Sequence, residues 1–333
     1  MLNRFFYALL FLSVLLGSTV GLYTAYLDTP FVRFVRSPEI PRESSLRCLV
    51  MPGASMRNVV TQLEENGLMT PFQGRVFCAL ARWQRADKFL RAGEYAFSLT
   101  ITPRVLLQQF QKGASIRYAL TIEEGTTVAQ LYKTLLFMPP LKKTLPLSWN
   151  GSTPDLEGSY FPDTYYFTAQ MSDKDLLHQA RLRMTQKLHN AWIHRDQNIV
   201  LRTPHEALIL ASIIEKEAAV SEERKRISAV FHNRLKKGMR LQADPTVLYG
   251  GGKPEGTRLT REDLRKDTPY NTYLKAGLPP TPIALPGMAS IEAALHPSAE
   301  SMLYFVAKGD GTHYFSDNLA EHNQAVLRYQ RGD

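Results

Sequence analysis

The run HEALILASIIEKEAAV (205–220) is apolar at helical spacing and carries two glutamates, Glu215 and Glu217, two positions apart. A helix turns roughly 100° per residue, so these carboxyls point about 200° apart and cannot share one task. Glu217 falls on the stripe of Leu210, Ile213 and Ile214, whereas Glu215 falls nearer Leu208 and Ala211. A carboxyl on an apolar stripe is desolvated, which favours its neutral form and raises its pKa. A general acid working near neutral pH needs that shift. The same position is also where a buried stripe would surface at the end of a helix, and the pattern alone leaves both readings open.

Flanking segments extend the helical texture. Helical spacing covers 173–195, 204–219 and 222–237, and Ser221 is expected to cap the last of these, with Glu222 and Glu223 at the positive end of its dipole. Ile227, Val230, Phe231 and Leu235 form the buried stripe of that helix, Asn233 interrupts it as an inward hydrogen-bonder, and Gly238 ends it. Beyond Gly238 the period fades. Arg240 to Pro245 reads as a short extended piece entering a turn, with Leu241 and Gln242 facing opposite ways. Tyr270-Asn271-Thr272-Tyr273 then sets two aromatics and an amide ahead of Gly277 and three prolines. Long irregular stretches of this kind shape sites, and aromatic faces with amide and carboxylate groups suit a carbohydrate cleft. His296, His313 and His322 have no metal-ligand spacing, and the chain has no GxSxG, Walker or GxGxxG motif.

Toward the amino terminus a smaller unit appears. Leu49 to Ser55 leads into MRNVVTQLEENG, and Thr121 to Thr127 leads into VAQLYKTLLF. Each time a short strand ends at a Gly turn, and a Ser or Thr caps a helix. Gly93 to Leu99 reads as a strand, and Thr102-Pro103 opens another helix. Strand, Gly turn and capped helix resemble the glycan-binding LysM module. Residues 27–46, with Pro30, Pro38 and Pro41, read as a linker. Ahead of them FFYALLFLSVLLGSTVGLYTAY (5–26) holds no charge and is long enough to span a hydrocarbon core of about 30 Å. Tyr23 and Tyr26 sit where an interfacial aromatic belt would lie. The apolar run is long and no A-x-A-like site follows it, which favours a retained anchor over a cleaved signal. The flanking charges do not decide its orientation.

The formal net charge of +9 suits an anionic partner, whether nucleic acid, membrane surface or acidic polymer, and does not choose among them. Cys48 and Cys78 fit either one disulfide or two small core residues.

Five segments, in order and at matching spacing, resemble the YceG-like family of endolytic murein transglycosylases: EGSYFPDTYYF (157–167), ASIIEKEA, VFHNRLKKGMRLQADPTVLYG, PYNTYLKAGLPPTPIALPG and ALHPSAESMLYFVAKGDGTHYFSDNLAEHN. His232 departs from the apolar residue expected before Asn233. The resemblance implies an α+β chain with an N-terminal transmembrane helix, a LysM-like subdomain at 47–118 and a catalytic domain at 119–333 bearing its glutamate on a helix. It places residues 1–4 in the cytoplasm and the domains in the periplasm of a bacterial inner membrane. It makes Glu217 the catalytic residue. It implies substrate-binding roles for Asn233, Gln242, Asp244, Tyr270, Asn271, Tyr273 and Glu157. It calls for no metal and no cofactor. The implied partners are peptidoglycan glycan strands, the inner membrane and a peptidoglycan synthase complex, with no nucleic acid. A non-catalytic wall tether and a hydrolytic muramidase are the rival readings.

Overall fold

Short strands and side-chain-capped helices build the molecule from residue 46 onward. The computed structural model describes residues 13, 17–30, 46–98, 100–113, 116–146 and 156–330. Two compact units result: Met1–Tyr118 with Thr168–Gln170, and Ala119–Phe167 with Met171–Asp333.

In the first unit a helix α1 covers residues 17–28. Strand β1 (Leu46–Val50) is followed by α2 (Met56–Glu65), α3 (Pro71–Trp83), a 3-10 turn (Ala86–Phe89), β2 (Gly93–Phe97) and α4 (Pro103–Lys112). β1 and β2 pair antiparallel, with Leu46 opposite Phe97 and Val50 opposite Gly93. Alternation sends Cys48 and Val50 inward and leaves Arg47 and Leu49 outside. Reciprocal capping boxes start the helices: Ser55 with Asn58 on α2, Thr70 with Gln73 on α3. Val59, Leu63, Phe77 and Leu106 fill the core around an aromatic trio in which Phe110 meets Tyr95 and Phe97 edge-on at 5.2 and 5.6 Å. The helix α3 is not anticipated by the sequence reading; its signal was the Thr70-Pro71 cap with Gln73 three residues on. Both cysteines are free thiols, and burial pushes that of Cys48 up to about 11.

Half of the expected anchor lies outside the described residues, since 5–12 and 14–16 are not among them. Among the described residues no helix is long and apolar enough to cross a membrane. The helix runs to residue 28, and Leu27 is buried within the core of the first unit.

The second unit holds β3 (Tyr118–Thr121), α5 (Val128–Leu136), β4 (Thr164–Phe167), α6 (Asp173–Ile193), α7 (Pro204–Glu217), α8 (Arg224–Lys236), α9 (Asp244–Gly250), α10 (Arg261–Arg265), α11 (Met288–Leu295), β5 (Tyr304–Ala307), β6 (His313–Ser316) and α12 (Leu319–Gln330). β3 pairs with β4, and β5 with β6, so the fold mixes many helices with small sheets. α7 is the hub and touches α6, α8, α9 and α11. Every residue from Ala207 to Ile214 is buried, so α7 is apolar all round rather than on one stripe. Its one polar member there, Ser212, donates to Ile209 O and accepts from Ile283 N–H.

Two expectations need correction. Ser221 does not cap α8: Ser221–Glu223 form a 3-10 turn, and α8 starts without a side-chain cap. The Glu223 carboxylate accepts instead from the backbone N–H and Nδ1 of His313, tying the start of α8 to β6. Residues 244–250 are not irregular chain but the helix α9, with Pro245 in its first turn.

Candidate active site

Glu215 and Glu217 both lie in the last turn of α7, and their surroundings differ completely. Glu215 is buried despite lying off the expected stripe, because α11 and α8 cover that side too. Its Oε1 pairs with Arg224 at 3.3 Å and its Oε2 accepts from Gly287 N–H at 2.8 Å. Both oxygens are therefore occupied. Glu124 presses against the same glycine: a Cβ at 287 would lie 1.8 Å from Glu124 Oε1. A polar hollow of about 510 Å³, bordered by Glu124, Thr126, Glu215, Lys216 and Glu255, opens on this side and does not include Glu217.

Glu217 closes α7, and Ala218 leaves the helix in extended conformation. A carboxylate at a helix C-terminus faces the negative end of the dipole, which disfavours its ionised form. The residue keeps a partly open face, yet its carboxyl makes no hydrogen bond among the described residues. Burial, and then the nearby Asp244 carboxylate, push Glu217 up to about 8, while Arg234 pulls the other way. That shift favours the proton-bearing form of Glu217, whose carboxyl has no hydrogen-bond partner among the described residues.

The surroundings of Glu217 are held tightly. Asp244, first residue of α9, accepts from the Tyr273 hydroxyl at 2.6 Å. Burial, and then this bond, raise the Tyr273 phenol above its usual range. Arg234 is buried in α8. Its Nε donates to Leu303 O at 2.7 Å, its Nη1 donates to Leu241 O at 2.6 Å, and it lies over the Tyr304 ring. The sequence reading missed Arg234. It completes the spacing 227, 230, 231, 234, so a charge on the buried stripe was the available signal.

Gln242 is exposed between buried Leu241 and Ala243, and takes φ 50°, a left-handed backbone that a side chain other than glycine rarely adopts. Its N–H donates to Thr272 O, and the buried Thr272 hydroxyl accepts from Ala243 N–H. That ladder fixes Asp244 and Tyr273 together.

The other expected site residues have hydrogen-bond partners of their own. Asn233 donates to Glu300 O and Met302 O at 2.9 and 3.0 Å, bracing the approach to β5. Asn271 is fully buried and donates to Leu264 O and Lys266 O while accepting from Tyr273 N–H. Tyr270 bonds Thr281 and meets Tyr249 edge-on at 4.9 Å. Glu157 is buried: one oxygen accepts from Val128 N–H at 3.1 Å and the other from the Tyr249 hydroxyl at 3.0 Å. Burial pushes it up to about 7 against those two bonds. His232 is buried as well, bonded through Nε2 to Ala294 O, and burial lowers its pKa. His296, His313 and His322 go to separate partners, and no group of three His, Cys, Asp or Glu fit for a metal occurs among the described residues.

A model of the YceG-like family matches residues 48–328. The endolytic murein transglycosylase of Bacillus subtilis (strain 168) is 33% identical over 306 residues, 83% of this chain and 82% of that one. The endolytic murein transglycosylase of Streptococcus pneumoniae serotype 2 (strain D39 / NCTC 7466) is 29% identical over 319 residues; this chain spans 57% of its length. The crystal structure of a putative yceG-like protein from Listeria monocytogenes superposes with a TM-score of 0.53 at 31% identity, covering 84% of this chain and 99% of that one.

Proposed function

The chain belongs to the YceG-like family, and from that premise we propose that it is a lytic transglycosylase that cuts peptidoglycan strands internally, with Glu217 as its acid and base. The observation that carries this reading is the unbonded Glu217 carboxyl, held in its protonated form beside Asp244. Glu217 gives its proton to the oxygen of the β-1,4 bond between N-acetylmuramic acid and N-acetylglucosamine, and the bond from muramoyl C1 to that oxygen breaks. The resulting carboxylate takes the proton of the muramoyl C6 hydroxyl, whose oxygen closes on C1 as a 1,6-anhydro ring. The nucleophile is part of the substrate, so its effective concentration is high and no water is consumed. Asp244 favours the proton-bearing form before the cut, and Arg234 favours the carboxylate after it. Both steps thus have a charge suited to them.

Strand–helix–helix–strand order in the first unit supports the reading of residues 47–118 as a LysM-like glycan-binding subdomain. The charge-free run 5–26 supports a single-pass anchor in the inner membrane, with the folded units in the periplasm. Cutting near the membrane would end nascent strands beside a peptidoglycan synthase.

The test is mass spectrometry of products from purified glycan strands. Anhydro-muramoyl ends that vanish in Glu217→Gln support the proposal; products unchanged in that variant overturn it. Asp244 is a second carboxylate near the first, the arrangement a hydrolytic muramidase would use. The same digest separates the two, because hydrolysis leaves reducing ends.

A further inference from the structure

The first unit exposes an apolar and basic surface where α1 ends. Tyr23 of α1 meets Trp83 edge-on at 5.2 Å and accepts from Gln84 Nε2 at 2.5 Å. Tyr26 donates to Gln73 O at 3.1 Å, and Asp28 pairs with Arg104 at 2.6 Å. With Leu27 in the core, α1 is fastened to the unit by its last two turns. It enters the fold as a packed element and not as a loose tether.

Beside this junction, Phe72, Trp83 and Phe89 are 68%, 71% and 61% exposed. Phe72 and Trp83 are eleven positions apart on α3, which returns them to within about 20° of one face. Val20 and Leu22 on α1 are exposed as well. Large side chains left this open on an otherwise well-packed unit mark a surface made for something apolar. The charge on the same stretch is one-sided: between residues 71 and 91 stand Arg75, Arg82, Arg85, Lys88 and Arg91 against a single acid, Asp87. Arg85 adds a second sign. It takes φ 56°, a turn that glycine makes at less cost, yet the position presents a cation.

We propose that this face, formed by α3, the turn after it and the end of α1, sits in the headgroup layer of an anionic bilayer. Aromatics at the depth of Trp83 and Tyr23 match an interfacial belt, and the arginines meet lipid phosphates. Each basic side chain near such a surface contributes roughly fivefold to its occupancy. The apolar sequence leading into α1 brings the lipid to this face. The inference rests on the reading of residues 5–26 as an anchor. It makes the first unit a platform seated on the bilayer.

The full chain in nanodiscs tests it, with Trp149→Phe and Trp192→Phe leaving Trp83 as the single tryptophan fluorophore. In discs containing phosphatidylglycerol, Trp83 emission should shift to the blue, lose most of its intensity to nitroxide carried just below the headgroups, and resist aqueous acrylamide. Replacing Arg75, Arg82 and Arg85 with Gln should return it to acrylamide. A chain that stays with the disc through alkaline washing but keeps Trp83 in water overturns this inference and leaves the anchor intact. A chain that washes off overturns both. A Trp83 that responds to added glycan strands and not to lipid nitroxide also overturns it.

Discussion

Two carboxyls of the second unit are held above the ordinary carboxylate range by desolvation, and their surroundings differ. Glu157 is pushed up to about 7 and Glu217 to about 8. The Glu157 oxygens are both taken, one by the first N–H of α5 and the other by Tyr249. Glu157 therefore ties the segment after residue 156 to α5 and α9. Glu217 has the larger shift, no hydrogen bond among the described residues and a partly open face. A raised pKa alone does not mark a catalytic acid. What separates the two is whether the proton can be delivered.

Glu217→Gln gives the largest break in that comparison. A positioned acid/base group contributes about 10²–10⁴-fold, and here one residue serves both steps, so activity should fall by at least that factor. Folding should persist, as read by circular dichroism. The same variant has a sign for stability. The folded pKa lies above the unfolded one, so the wild-type carboxyl costs nothing below the unfolded pKa, about 4.5, and costs most above about 8. The stability gain of Glu217→Gln should therefore widen between about pH 5 and pH 9 in thermal melts.

Glu157→Ala should show the converse. It leaves Val128 N–H and the Tyr249 hydroxyl without an acceptor, which costs about 1–3 kcal/mol per buried group. Calorimetry should find a clear drop in Tm, while anhydro-product release by the folded fraction changes far less than in Glu217→Gln. A normal Tm with dead chemistry would reverse the two roles.

Glu215→Gln should come next. It keeps the acceptor for Gly287 but removes the charge facing Arg224, so stability falls by about 1–3 kcal/mol with substantial cutting retained. Asp244→Asn should act most subtly. Removing the like charge lowers the Glu217 pKa, so the alkaline limb of the pH–rate profile moves to lower pH by up to about one unit. An alkaline limb that stays put would remove Asp244 from the account.

These contrasts also show what a sequence can reveal. α7 and α8 were legible because their spacing is local, and the geometry of one helix suffices to send Glu215 and Glu217 apart. The reason offered for Glu217 was only half right: α7 is buried all round, so the stripe did not distinguish the two glutamates. The cap expected of Ser221 fails, and the particular partners of Asn233 and Asn271 were not readable, for one physical cause. Their polar groups, or those beside them, find partners that local pattern does not specify: His313 for Glu223 and Met302 for Asn233, both far along the chain, and Leu264 at the end of α10 for Asn271. Capping rules and strand alternation do not see such bonds. Arg234 was overlooked although its place on the apolar stripe was readable, and the left-handed turn at Gln242 has no signal in residue type.

Gly287 carries a consequence for how this chain can change. Its N–H serves Glu215 while Glu124 occupies the space a side chain would need. Gly287→Ala therefore needs the exposed Glu124 side chain to swing aside, a demand that shortening Glu124 removes. The two substitutions are non-additive by construction, and their order matters. The contact couples positions 124 and 287, so the effect of a change at the glycine depends on the length of the residue at 124.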